Sequence, residues 1–273
     1  MEMHDRRAPL GRKTGFVNTY TPGLLFPVAR RPKRDEIHIS EVLPFRGCDI
    51  WNAYELSWLN PGGKPEIALA EFRVSCASEH IVESKSFKLY LNSFCQSKFA
   101  GGKEVEATLA KDLANATGSA VDVSLTFPEQ FSRQGGSEFR GFCLDGLGVR
   151  TGQYAVQPDF LITEEEVVEE RLYSNLLKSN CPETGQPDWG SVWFHYVGRR
   201  IDREGLLKYI ISFREHGEFH EHCVERMFVD VLRRCQPEKL TVYARYTRRG
   251  GLDINPFRSN WEDAPGNVRL ARQ

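Results

Sequence analysis

Apolar residues at Phe87, Tyr90, Leu91 and Phe94 recur at the spacing of one face of a helix, and the same spacing returns at Leu206, Tyr209, Ile210 and Phe213. The two segments, 83–94 and 202–213, align without a gap. Each is followed by a second amphipathic stretch: 103–117 carries Val105, Leu109, Leu113 and Ala116, and 218–234 carries Phe219, Val224, Met227, Phe228, Val231 and Leu232. Strand-like segments flank both pairs, at 53–59, 67–76 and 121–127 in the first half and at 192–197 and 240–246 in the second. Segment 163–178 is ambiguous alone, because Thr163 with Glu166 forms a helix-starting capping box. The repeat resolves it as mainly strand, since 170–177 takes the place that 53–59 holds in the first half. The chain therefore predicts an α+β fold of two tandem β-β-α-α-β units, 1–150 and 151–273, each an antiparallel sheet with two helices on one face. The glycine-rich stretch 130–153 is the expected connector. A sheet covered on one face needs a neighbour for the other, so oligomerisation, as a homodimer, is expected.

With 273 residues, 40% of them hydrophobic, the chain can bury one large core or two smaller ones. Seven cysteines with no Cys-x-x-Cys pair indicate neither a disulfide framework nor a zinc ribbon, and a reducing cytoplasm is the simplest home. The first 40 residues lack the apolar core of a signal peptide, and no run is long and apolar enough to span a bilayer. A net charge of −1 gives no global field for a polyanion. Arg249-Gly250-Gly251, preceded by Arg248, is a single Arg-Gly-Gly triplet, which without a basic surround does not point to nucleic acid.

Candidate chemistry lies where the two halves differ. Phe219-His220-Glu221 opens the second helix of the second half, whereas the same offset in the first half falls on Ala100, Gly101 and Gly102. Cys181 and Asp188 sit in 179–190, a stretch punctuated by two prolines and two glycines that has no counterpart in the first half and reads as a short, stiff loop. A thiol is intrinsically nucleophilic and a nearby carboxyl can deliver a proton, which together suit covalent attack on a carbon electrophile. A lone cysteine is also, and more often, a small buried hydrophobe. Glu83, equivalent to Asp202, suits either a substrate contact or a helix N-terminal acid. The expected site is composite: Glu83 from one half, Cys181, Asp188, His220 and Glu221 from the other. No metal is expected, because His220 and His222 diverge by about 200° on a helix, and Cys223 reads as core. Gly146-x-Gly148-x-x-x-Gly152 departs from the dinucleotide-binding spacing.

Four motifs in order carry a resemblance: Glu83-Ser84-Lys85-Ser86-Phe87-Lys88-Leu89-Tyr90, the run from Cys181 to Ser191, Glu218-Phe219-His220-Glu221, and Tyr246-Thr247-Arg248-Arg249-Gly250-Gly251-Leu252-Asp253-Ile254-Asn255-Pro256. Through them almost the whole chain resembles the long-chain NADPH-dependent 7-cyano-7-deazaguanine reductases, nitrile reductases of the queuosine (tRNA modification) pathway in the tunnelling-fold group. The resemblance implies tandem tunnelling-fold (T-fold) units. It makes Cys181 the nucleophile of a covalent thioimide and Asp188 the proton donor. Val82, Glu83 and Ser84, with His220 and Glu221, become the substrate contacts, and Ser84, Lys85, Arg249 and Gly250 the NADPH contacts. The implied partner is a 7-deazapurine nitrile, reduced with two NADPH per turnover, with no direct nucleic acid and no membrane. Two rival readings are a cysteine hydrolase that consumes no NADPH and a non-catalytic module that binds a purine or pterin.

Overall fold

The computed structural model of the protein describes residues 15–133 and 135–273, so the opening residues of the expected first half, and Gln134 of the expected connector, lie outside the described residues. In chain order come β1 (Pro27–Ala29), α1 (Arg31–Glu36), β2 (Arg46–Leu59), β3 (Pro65–Ser75), β4 (His80–Val82), α2 (Ser84–Asn92), α3 (Gly102–Thr117) and β5 (Val121–Thr126). They are followed by β6 (Gly136–Ser137), β7 (Phe142–Cys143), β8 (Thr163–Asn180), β9 (Pro187–Ile201), α4 (Arg203–Ile211), α5 (His220–Cys235), β10 (Lys239–Tyr246), β11 (Leu252–Ser259) and β12 (Arg269–Leu270). The class is α+β, with antiparallel pairing dominant and few helices. No described helix is long and apolar enough to cross a membrane.

Two compact units divide the chain, and they exchange segments. The first takes the chain up to Pro32, Ile50–Gln134 and Arg248–Asp253; the second takes Lys33–Asp49, Gly135–Thr247 and Ile254–Gln273. They are therefore not the contiguous halves 1–150 and 151–273, and ion pairs and hydrogen bonds account for the difference. Arg34 pairs with Glu225, and Asp49 with Arg258, which ties 33–49 into the second unit. Asp253 accepts from Asn52 Nδ2 and Tyr54 Oη at 2.7 and 2.6 Å, which ties the 248–253 turn into the first.

In the first unit β3 pairs antiparallel with β5 from Leu69↔Thr126 to Val74↔Val121. The apolar stripe of α2 turns inward, placing the Phe87 ring 5.2 Å from Trp51 and 5.0 Å from Phe72, edge to face. Tyr90 is fully buried and donates its hydroxyl to Asp112 of α3 at 2.7 Å. α3 ends at Gly118, whose φ of 73° supplies the left-handed turn that stops a helix.

In the second unit β9 is flanked by β8 and β10, and β10 pairs with β11. The ladder to β9 overrides the capping signal at Thr163 and Glu166, because β8 runs for 18 residues with every second residue near its end facing the core. Within the expected connector, β7 pairs parallel with β8 through Phe142↔Leu172 and Cys143↔Tyr173, so part of that stretch is sheet edge and not mere linker. α4 packs on β8, and α5 on β9 and β10.

The repeat is visible in individual hydrogen bonds. Tyr209, equivalent to Tyr90, donates to Asp230 of the following helix at 2.7 Å. Ser93 and its equivalent Ser212 donate to the carbonyls of Tyr90 and Tyr209, each at 2.6 Å. Glu83 and Asp202 both cap the helix that follows them.

Candidate active site

The Cys181 segment is the tip of the β8–β9 hairpin. Cys181 N–H donates to the Gln186 carbonyl at 2.8 Å, and Gly185 N–H returns to the Cys181 carbonyl at 3.0 Å. Gly185 has φ of +68°, a left-handed conformation that closes this turn without a side-chain clash. The stiff loop expected over 179–190 is thus shorter than the sequence suggests, confined to residues between the strands. Asp188 lies on β9, opposite Ser179. A carboxylate on a paired strand has its backbone held by the ladder, which orients it better than a loop would.

Strand periodicity then assigns a common face. Residues directly opposite one another project to the same side, as do residues two apart along a strand. Ser179 faces Asp188 across β8 and β9, and Gly190, two beyond Asp188, faces Tyr246 across β9 and β10; Cys181 lies just past the end of β8, in the turn. Asp188 and Tyr246 are 6% and 0% exposed, as a core-facing row requires, and Cys181 in the turn is 3% exposed.

The N-terminus of α5 meets this face. Asn180 N–H donates to the His216 carbonyl at 2.8 Å, and Glu218 N–H donates to the Asn180 carbonyl at 3.1 Å, so the chain entering α5 runs alongside the hairpin. His220, the first residue of α5, then places Nε2 3.3 Å from Asp188 Oδ2. Its ring stacks on Tyr246 with centroids 3.7 Å apart and planes 2° from parallel. Glu221 beside it is buried. Burial pushes the Cys223 thiol far up, in keeping with a core residue and not a nucleophile. Cys181, Asp188, His220 and Glu221 all belong to the second unit. Among the described residues, no group of three or more His, Cys, Asp or Glu could hold a metal ion.

Val82, Glu83, Ser84 and Lys85 belong to the first unit, at the junction of β4 and α2. Glu83 is the N-cap of α2, and its two carboxylate oxygens accept from the N–H groups of Lys85 and Ser86 at 2.6 and 2.8 Å. Burial raises its pKa, opposed by those two backbone hydrogen bonds and the Lys85 charge. The capping role weighed in the sequence is therefore present, and the carboxylate is rigidly held.

Arg249 and Gly250 lie in a tight turn in which Arg249 N–H donates to the Leu252 carbonyl at 2.9 Å. Gly250 and Gly251 have φ of +65° and +79°. A side chain at Gly250 would come within 3.1 Å of Lys88 Nζ, so this turn lies against α2, the helix that Ser84 and Lys85 begin. A cavity of about 60 Å³ opens there, lined by Glu55, Lys88, Leu91, Asn92, Gly250 and Gly251 among others. Tyr246 and Gly190 were not singled out as site residues from the sequence, although the register that places them on the Asp188 face follows from counting along the predicted strands.

Comparison with known proteins identifies relatives of the chain. Residues 16–125 match the family described as nitrile reductase, 7-cyano-7-deazaguanine-reductase N-term, and residues 187–265 match the family described as QueF-like protein. A protein of Chromobacterium violaceum named NADPH-dependent 7-cyano-7-deazaguanine reductase is 56% identical over 269 residues, spanning 97% of this chain and 96% of its own. Proteins of the same name from Burkholderia mallei and Paraburkholderia phymatum are each 56% identical, spanning 99% of this chain and 100% of theirs. The crystal structure of the archaeosine synthase QueF-Like in the apo form covers 36% of this chain and 98% of that one, with 19% identity and a TM-score of 0.31.

Proposed function

The chain belongs to the NADPH-dependent 7-cyano-7-deazaguanine reductase family and is an oxidoreductase, and from that premise we propose that it reduces 7-cyano-7-deazaguanine to 7-aminomethyl-7-deazaguanine through a covalent thioimide on Cys181. The observation that carries the reading is the contact of His220 Nε2 with Asp188, 3.3 Å, at the start of the strand that follows the turn holding the buried Cys181.

The chemistry runs as follows. The Cys181 sulfur adds to the nitrile carbon, forming a C–S bond as one C–N π bond becomes a nitrogen lone pair; Asp188 carries the thiol proton to that nitrogen. The resulting thioimide is a far better hydride acceptor than a nitrile. After the first reduction the C–S bond breaks, the electron pair returns to sulfur and an imine remains, which a second reduction converts to the amine. Bound NADPH supplies the hydrides, two equivalents per nitrile, and two further protons complete the balance. Burial of Cys181 and Asp188 suits an imine that must be kept from water.

Val82, Glu83 and Ser84 form the guanine-reading part of the substrate site in this reading, with Glu83 accepting from ring N–H and amine groups, and His220 with Glu221 complete it. Ser84 and Lys85 with Arg249 and Gly250 hold NADPH. The reading is supported by the Lys85 charge on α2 and by a turn of positive φ at Gly250 and Gly251 that lies against Lys88 of the same helix. The tandem order of elements, repeated down to the Tyr–Asp and Ser–carbonyl hydrogen bonds, supports two T-fold units. A cytoplasmic homodimer in the queuosine pathway, acting on a free base and not on nucleic acid, completes the reading; all seven cysteines being free suits a reducing compartment.

The test is NADPH oxidation by the purified protein with 7-cyano-7-deazaguanine, with the product mass determined and Cys181→Ala in parallel. Two NADPH consumed per amine, an adduct on the native protein and an inert variant are expected. Carboxylate formation without NADPH use, or tight binding with no turnover in either protein, would overturn it.

A further inference from the structure

The imidazole of His220 is fixed by more than its contact with Asp188. Its ring lies flat on Tyr246, 3.7 Å between centroids and 2° between planes. Tyr246 ends β10 and is completely buried. Its hydroxyl lies beside the Ser179 and Cys223 side chains. Burial drives its pKa well above the ordinary value, so the ring that meets His220 is a neutral phenol.

The sheet makes room for that ring. Gly190 stands directly opposite Tyr246, and a side chain there would come within 3.1 Å of Tyr246 Cδ1. A side chain at 190 would also meet the Arg245 carbonyl at 3.1 Å, so the phenol or that carbonyl would have to give by a few tenths of an ångström. The His220 Nδ1 is buried without a partner among the described residues, so no hydrogen bond on that side sets the ring's rotation. Phe219, the N-cap of α5, offers no side-chain hydrogen bond either. The flat stack is the constraint that remains, and it aims Nε2 at Asp188.

We infer that Tyr246, admitted by Gly190, is a positioning residue that fixes the His220 imidazole against Asp188 and so supports the reduction. This rests on the proposed function above, and the test separates the two. In Tyr246→Leu, kcat/KM for the nitrile falls at least tenfold, and Tyr246→Phe restores most of it. Because the effect travels through His220, Tyr246→Leu added to His220→Ala costs nothing further. Gly190→Ala, which shifts the ring without removing it, gives a smaller loss of the same kind and serves if Tyr246→Leu does not fold. The readout independent of turnover is the NMR signal of the His220 ring protons, displaced by the Tyr246 ring current in the native protein and in Tyr246→Phe, and relaxed in Tyr246→Leu. Unchanged kcat/KM in folded Tyr246→Leu, multiplicative losses with His220→Ala, or an undisplaced His220 signal in the native protein would each overturn the inference. A native protein that oxidises no NADPH sinks the proposed function, and the ring signal then decides the stack alone.

Discussion

Arg34 grips Glu225 through two hydrogen bonds, Nε to Oε2 at 2.8 Å and Nη2 to Oε1 at 2.7 Å, from 191 residues away in sequence. Glu225 Oε1 also receives Arg258 Nη2 at 2.9 Å, and Arg258 Nη1 lies 2.8 Å from Asp49. The four residues are all buried, so each charge depends on the others. Glu225 sits one turn beyond Glu221 on α5, which makes the network the anchor of the helix that carries the candidate residues His220 and Glu221.

Removing one member leaves uncompensated charge in the interior. Glu225→Ala is expected to cost about 3–5 kcal/mol, since two guanidinium groups lose their shared carboxylate. Equilibrium denaturation in urea measures it, and a loss below about 1 kcal/mol, the range of an exposed ion pair, would contradict the anchoring role.

The repeated tyrosines give a paired prediction. Among the described residues Asp230 accepts a hydroxyl from Tyr209 alone, whereas Asp112 accepts from both Tyr90 and Tyr20 at 2.7 Å. Tyr209→Phe therefore strands a buried acceptor and should cost about 1–3 kcal/mol, while Tyr90→Phe leaves Asp112 with Tyr20 and should cost less. Thermal melts of the two variants side by side check the order.

His216 sets a dependence on pH. Burial, reinforced by the Arg226 charge and opposed by Glu218, lowers its pKa from 6.5 to about 4. A base whose folded pKa is depressed binds its proton more readily when unfolded, so the native state loses stability as pH falls from 6.5 towards 4. The full shift corresponds to about 3 kcal/mol. His216→Asn should flatten the pH dependence of stability across that window and leave it unchanged above pH 7. Equal slopes in the two proteins would contradict this assignment. Glu218 acts below it: burial opposes ionisation, but the His222 hydrogen bond and Lys33 bring its pKa to about 2, so its contribution fades only below about pH 4.5.

What the sequence revealed and what it hid follow one division. The helices around Tyr90 and Tyr209 and the strands beside them were legible because amphipathic spacing is local, and the repeat corrected the capping signal at Thr163. The seat of Asp188 was misread because Pro187 and Gly190 look like loop punctuation, yet Pro187 merely begins β9 and Gly190 clears space for Tyr246. The exchange of 33–49 and 248–253 between units had no local sign at all. It depends on Arg34, Asp49 and Asp253 finding partners far along the chain, and such pairing leaves no periodicity.

Asp188→Asn separates geometry from proton transfer. The amide oxygen can still accept from His220 Nε2, and the side chain keeps its size in a ladder whose backbone is fixed by Ser179. What the amide cannot do is take the thiol proton and return it to nitrogen. If Asp188 serves only to orient His220, the variant should turn over almost normally. If it carries protons, kcat should fall by about 10²- to 10⁴-fold, the usual worth of a general acid–base, with nitrile affinity little changed. Single-turnover measurement with mass analysis of Cys181 places the loss, because a proton carrier is needed for the addition itself. The expected result is slow adduct formation and not a stalled adduct. Rapid adduct formation in Asp188→Asn followed by a block would move the essential proton transfer to the reduction steps and remove Asp188 from the first.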